Sequence, residues 1–188
     1  MPPTNNQFYV VDLGFTFKFF GKNYNQVTIY DNGYICLGKQ TNCLVKTQNS
    51  EDMVIGFNYD LDTTRIESGQ IYFKKLNNDF TSSTYVNLID PLFVPKNTFM
   101  ITYDNVLPSS NSDSRVSFQI FLLTDSSKSY LILKYQSCPS ELTLLALSGV
   151  KYQGKVLSIA NNKECISSNV KQTGVWVTDV SNYILGKY

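Results

Sequence analysis

The chain has 188 residues and a formal charge of +1, from sixteen basic and fifteen acidic side chains, and it contains no histidine. A near-neutral chain offers no strong field for nucleic acid or an anionic membrane, and the lack of histidine excludes Ser-His-Asp and Cys-His nucleophile systems and histidine-ligated zinc. No run of 18 apolar residues is present, so no membrane insertion is expected. Frequent aromatic and β-branched side chains favour strands, because they pack well on a pleated surface.

Alternating apolar and polar residues predict strands from one end of the chain to the other. In the first of them, Phe15, Phe17 and Phe19 share one face. Further strands are predicted at 70–75, 98–103, 116–120, 129–135, 142–147, 155–159 and 174–178. No stretch shows a sustained helical period, and we therefore predict an all-β fold: an antiparallel β-sandwich-like single domain with little helix, spanning residues 1–188.

A hairpin is the clearest local signal in the sequence. The dipeptide Asn32-Gly33 favours a two-residue type I′ turn, since both residues tolerate positive φ. This turn would join strands at 27–31 and 34–37.

Two carboxylates follow a buried-strand pattern in the stretch NYDLDTTR, residues 58–65. Calcium prefers oxygen ligands, and the candidate ligands are Asn58, Asp60, Asp62 and Glu67. An EF-hand is excluded because Thr63 stands where the loop needs glycine and Gly69 where it needs glutamate. The alternative is that these carboxylates cap a turn, with Arg65 offering a salt bridge. Asp60 and Asp62 are spaced as the two carboxylates of a glycosidase can be, but almost any acidic pair meets this criterion. No catalytic residue is therefore predicted.

Four cysteines are present, Cys36, Cys43, Cys138 and Cys165, and no two of them form the CxxC pair of a zinc site. We predict two disulfides, which places the chain in an oxidising compartment. Proximity in sequence favours Cys36–Cys43 and Cys138–Cys165, although four cysteines allow three connectivities.

Two further features suggest partner contacts. Tyrosine combines an apolar body with a polar tip, and five tyrosines that we expect to be exposed are candidates for protein or glycan contact: Tyr24, Tyr30, Tyr34, Tyr59 and Tyr152. The strand-like ends at 7–13 and 174–185 can each complete the sheet of a neighbouring molecule, or each can pair as an edge strand within its own chain.

Several segments, in order, resemble the nidogen-like extracellular domain family. They are LGFTFKFFGKNYNQVTIYDNGYICLG, MVIGFNYDLDTTRIESGQIYF, FMITYDNVLPSS and VSFQIFLLTDSSKSYLILKYQSC, and the resemblance covers roughly residues 12–160. The chain departs from the family pattern in having Tyr103 at a common tryptophan position. The resemblance implies an extracellular β-rich module of matrix, adhesion and surface proteins, without enzymatic activity.

From these features we expect a non-enzymatic extracellular structural or adhesion module. It would act through contacts with protein partners, which include other copies of itself in a homopolymeric fibre or matrix. It would require no cofactor. The alternative function is a carbohydrate-binding module that uses surface tyrosines, with or without calcium. Nucleic acid is not an expected partner.

Overall fold

Strands dominate the computed structural model, which describes residues 1–45, 51–77, 80–110, 113–139, 147–160 and 163–182. One helix is assigned in these residues, α1 (Phe80–Val86). The strands are β1 (Phe8–Phe19), β2 (Lys22–Tyr30), β3 (Tyr34–Leu37), β4 (Met53–Asn58), β5 (Leu61–Asp62), β6 (Gln70–Asn77), β7 (Asn97–Pro108), β8 (Val116–Thr124), β9 (Ser129–Ser137), β10 (Leu147–Tyr152), β11 (Lys155–Ser158) and β12 (Val175–Asp179).

The strands form two antiparallel sheets. The first sheet has the order β1-β2-β3-β4-β10-β11, and the second has the order β12-β9-β8-β7-β5, with β6 also paired to β7. Every strand pairing in both sheets is antiparallel. The predicted fold class, a single all-β antiparallel domain with little helix, is confirmed.

Large aromatic side chains fill the space between the two sheets. Phe17, Phe57 and Phe118 are each at most 1% exposed. The Phe118 ring of the second sheet stacks on the Tyr103 ring, with 4.4 Å between ring centres. Its centre lies 6.2 Å from the centre of the Phe57 ring of the first sheet. A Cβ at Gly56 would overlap the Phe118 ring, so glycine there permits the close approach of the two sheets.

The loop between β2 and β3 differs from the predicted type I′ turn. Tyr30 pairs with Tyr34, so the loop has three residues, and Gly33 adopts φ +84°. Asp31 leaves the strand because its carboxylate accepts a hydrogen bond from the Gln7 N–H at 2.8 Å. A three-residue loop that ends in a left-handed glycine is the next most common hairpin connection.

The predicted strands 70–75, 98–103, 116–120 and 129–135 lie within observed ones, and 155–159 and 174–178 each extend one residue beyond the observed strand. The exception is 142–147, of which residues 142–146 lie outside the described part of the chain and Leu147 begins β10. The pattern did not predict β10, because Ser148, Gly149 and Lys151 interrupt its apolar residues, although residues 148–152 are all buried.

Each sheet also has a covered outer face. On the first sheet, the segment that follows β3 packs over a cluster that includes Tyr30, Tyr34 and Met53. On the second sheet, α1 and the loop after it cover an apolar cluster that includes Phe93, Phe121 and Ile132. These two covering segments leave the edges of the sheets and the rest of their outer faces exposed.

Candidate functional site

Asp62 caps the turn that follows β5. Its Oδ1 accepts hydrogen bonds from the Thr64 N–H at 2.8 Å and from the Thr64 hydroxyl at 2.6 Å. Its Oδ2 accepts a hydrogen bond from the Asn5 amide at 3.1 Å. An aspartate that bonds backbone two residues ahead forms an Asx turn, which is the structural role considered for this stretch.

The other predicted calcium ligands point to different partners. The exposed Asp60 carboxylate accepts a hydrogen bond from the Ser109 hydroxyl at 2.9 Å, and Glu67 pairs with Arg115 at 3.6 Å. Arg65 donates to the Pro108 carbonyl oxygen and forms an ion pair with Asp113 at 3.7 Å. Among the residues that the structure describes, no group of three or more acidic, cysteine or histidine side chains can hold a metal ion.

Calcium is therefore expected to leave the thermal stability of the chain unchanged. A ligand that binds only the folded state raises the melting temperature, so thermal unfolding in millimolar calcium and in chelator tests the ligand set directly. An Asp60→Asn variant serves as the control. A calcium-dependent rise in melting temperature that Asp60→Asn abolishes would show that calcium binds at the Asp60 carboxylate and would contradict this expectation.

A cavity of about 640 Å³ lies beside this turn. Its lining includes Asn58, Tyr59, Asp60 and Tyr34, so two of the five candidate tyrosines lie near two of the candidate ligands. Tyr59 is half-buried. The lining combines aromatic and aliphatic side chains, Leu44, Val45 and Leu147 among them, with amide and carboxylate groups.

The expected exposure of the tyrosines is wrong for Tyr30, Tyr34 and Tyr152, which are at most 8% exposed. Tyr30 and Tyr34 stack at 4.7 Å as a cross-strand pair. Their hydroxyl groups donate to the carbonyl oxygens of Gln40 and Cys43, at 3.1 and 3.0 Å. The segment after β3 thus covers both rings, which is why they are buried.

Buried polar groups near these rings have shifted pKa values. Burial raises the pKa of the Asp31 carboxyl group and of the Tyr34 phenol. Burial and a hydrogen bond to the Asp52 carboxylate raise the pKa of the half-buried Tyr24.

The hydroxyl group of Tyr152 donates a hydrogen bond to the Phe20 carbonyl oxygen at 3.3 Å. Cross-strand packing and structural hydrogen bonds therefore occupy four of the five tyrosines.

Comparison with known proteins identifies the family. The family model of the nidogen-like domain matches residues 25–144, well over half of the chain. The chain belongs to the nidogen-like domain family. No curated protein and no solved structure matches it.

Nidogen-like domains are extracellular, structural and non-catalytic modules. Within the described residues of this nidogen-like domain, no helix is both long and apolar enough to cross a bilayer.

Two disulfides hold the nidogen-like domain together, and both join the cysteines that lie closest in sequence. Cys36–Cys43 closes the segment after β3, across a sequence separation of 7. Cys138–Cys165 spans a separation of 27 and ties the end of β9 in the second sheet to the loop that follows β11 of the first. Disulfides are typical of proteins in oxidising, extracellular compartments.

The terminal segments of the nidogen-like domain pair within the chain. β1 pairs with β2, and β12 pairs with β9. Just beyond β12, the Val180 carbonyl oxygen accepts a hydrogen bond from the Phe20 N–H at 2.6 Å. Residues 183–185 of the predicted segment 174–185 lie outside the described part of the chain.

Exposed apolar side chains lie on two edge strands, of which β1 falls in the segment 7–13 considered for assembly and β11 was not considered. Phe8 and Val10 of β1 are each 37% exposed, and Val156 of β11 is 38% exposed. The run Phe8-Tyr9-Val10-Val11 carries a signal for this feature, because consecutive apolar residues in a strand cannot all face one core.

Proposed function

We propose that this nidogen-like domain assembles head to tail into an extracellular polymer by extending its first sheet from one molecule to the next. In the described part of the chain, β1 and β11 are the two end strands of that sheet. An end strand offers unpaired backbone N–H and C=O groups, which a strand from another chain can satisfy.

One transverse row of the first sheet carries this proposal. Val10 pairs with Thr28, and Lys151 pairs with Val156, at the two ends of the same row. The pairs Thr28–Cys36, Cys36–Met53 and Met53–Lys151 complete the row between them. Val10 and Val156 therefore occupy matching positions at opposite edges of the sheet, and both are exposed.

The strand directions suit such a contact. Five successive antiparallel pairings separate β1 from β11, so the two end strands run in opposite directions. When β1 of one molecule lies beside β11 of the next, the new pair is antiparallel like every other pair in the sheet. This contact is head-to-tail, and an interface of that kind yields an open filament unless the rotation closes a ring.

The β1 edge adds apolar surface to the contact. The Phe8 ring lies 5.4 Å from the Tyr30 ring, which in turn stacks on Tyr34. Phe8 is thus the exposed end of an aromatic row whose other members are buried. A few large side chains near the centre of an interface, aromatic ones among them, contribute most of its binding energy.

A Val10→Lys variant is expected to remain monomeric at concentrations at which the wild-type chain assembles. A charged side chain on an edge strand opposes strand addition. Static light scattering across a concentration series measures the effect, and Leu92→Lys is the matched control, since Leu92 is 90% exposed and lies away from the first sheet. A wild-type chain that stays monomeric throughout, or assembly of Val10→Lys equal to that of the control, would refute the proposal.

A further inference from the structure

The outer face of the second sheet has an apolar half and a polar half. In the apolar half, α1 and the loop after it cover the row that contains Phe121 and Ile132. The neighbouring row in the polar half runs Tyr72–Thr102–Gln119–Lys134, as the strand register defines it. We call this second set of residues the polar row.

A groove of about 460 Å³ lies over the part of the polar row from β7 to β9, beside Tyr72 of β6, which does not line it. Thr102, Gln119 and Lys134 line it, and Gln172 and Thr173 of the turn before β12 add further polar groups. Thr102, Gln119 and Lys134 are half-buried, and the two turn residues are exposed. The row from β6 to β9 crosses three inter-strand spacings, or about 14 Å.

Hydrogen bonds orient the centre of the row. The Gln119 amide nitrogen donates to the Thr102 hydroxyl oxygen at 3.0 Å and contacts the Met100 sulfur at 3.5 Å. These contacts fix the orientation of the amide group of Gln119, which lines the groove. The Lys134 ammonium group lies 5.6 Å from the centre of the Tyr85 ring of α1, which places a cationic donor at the border with the apolar half.

Tyr72 ends the row with an exposed ring. It is 53% exposed, on the edge strand β6, and it pairs with Thr102. Phe73, the next residue, faces the other side of the same strand, where it stacks on Phe99 at 6.0 Å. The polar row therefore combines a stacking surface with fixed amide, hydroxyl and ammonium groups.

We propose that the polar row binds a neutral oligosaccharide of a few sugar units. Sugar hydroxyl groups both donate and accept hydrogen bonds, which matches a lining of amides and hydroxyls, and the C–H face of a sugar ring packs on a tyrosine ring. A protein partner would need an apolar interface centre, and α1 already covers the apolar half of this face. The lining has a single cation, Lys134, with the carboxylate of Asp104 in the same groove, so it lacks the positive cluster that an anionic polymer requires.

This site is separate from the proposed assembly edges. The polar row lies on the outer face of the second sheet, whereas β1 and β11 end the first sheet. The Val10→Lys chain is therefore a suitable background for binding measurements, since assembly and sugar binding can then succeed or fail independently.

Amide chemical shifts of the isotope-labelled Val10→Lys chain test the proposal, with cellohexaose, maltohexaose, chitohexaose and mannohexaose as probes. We expect at least one probe to shift the resonances of Thr102, Gln119 and Lys134. Adding Tyr72→Ala should weaken the affinity about tenfold, which corresponds to loss of one stacking contact. Adding Phe73→Ala, on the same strand but the opposite face, should change it by less than about twofold.

Three results would overturn the proposal. The first is that none of the four neutral probes shifts these resonances. The second is that the shifts persist unchanged in the Tyr72→Ala chain. The third is that only a heparin hexasaccharide shifts them, in a manner that added salt abolishes, because this would assign the groove to anion binding.

Discussion

Replacing Phe118 by alanine is expected to lower the free energy of unfolding by about 4 kcal/mol, because removal of a buried aromatic ring loses its transfer free energy and leaves a cavity. Phe118 is 1% exposed and contacts aromatic rings of both sheets, with Tyr103 at 4.4 Å and Phe57 at 6.2 Å. Denaturant unfolding of the purified variant measures the change.

Phe73→Ala is the matched control for this substitution. Phe73 also stacks on a phenylalanine of the second sheet, but it is 41% exposed, so its loss should cost about 1 kcal/mol. Equal losses for the two variants would mean that Phe118 does not lie between the sheets as described.

Removing the Cys138–Cys165 disulfide with a double alanine substitution is expected to lower the free energy of unfolding by about 3.5 kcal/mol. This magnitude is the loop-closure entropy of a cross-link that spans 27 residues. The bond ties the loop that follows β11 to the end of β9, so its loss frees the segment that leads into β12. Denaturant unfolding without reductant gives the difference from the wild-type chain.

The matched comparison is a double alanine substitution at Cys36 and Cys43. That bond spans only 7 residues, and its loop-closure entropy corresponds to about 2.4 kcal/mol. Cys36 and Cys43 are buried, so lost packing adds to this value, whereas Cys138 and Cys165 are partly exposed. A loss below about 1 kcal/mol for Cys138–Cys165 would show that the bond does not restrain the unfolded chain as expected.

The sequence was sufficient to predict the fold class and most strand positions. Strands that bury one face against the core alternate, as β1 does with Phe15, Phe17 and Phe19, and the alternation is a local property. β10 was not predicted, because the buried Ser148 and Lys151 and the intervening Gly149 interrupt the apolar run that a strand buried on both faces normally shows. Local patterning thus locates a strand only where its own residues alternate or form an apolar run.

The hairpin and the tyrosines show where long-range contacts override local signals. Asn32-Gly33 favours a two-residue turn, but the hydrogen bond from the N–H of Gln7, just before β1, to the Asp31 carboxylate holds Asp31 in the loop. Tyr30 and Tyr34 are buried because Gln40 and Cys43 fold back over them. Neither contact can be read from the spacing of the residues involved.

The proposed assembly edges and the polar row depend on strand order, which the sequence pattern does not contain. Val10 and Val156 lie far apart in the chain, and only the order β1-β2-β3-β4-β10-β11 places them in one row. The same holds for Tyr72, Gln119 and Lys134, which the register of the second sheet aligns. Function in this domain therefore has to be sought on rows across the sheets rather than in motifs along the chain.

Sedimentation of an equimolar mixture of Val10→Lys and Val156→Lys tests the head-to-tail contact most directly. Each variant has one blocked and one intact edge of the first sheet, so each alone is expected to stay monomeric, and the mixture to form a dimer of one copy of each. The mixture cannot grow further, because both remaining edges carry lysine. A mixture that sediments only as monomers, or that forms polymers as the wild-type chain does, would contradict strand addition between β1 and β11.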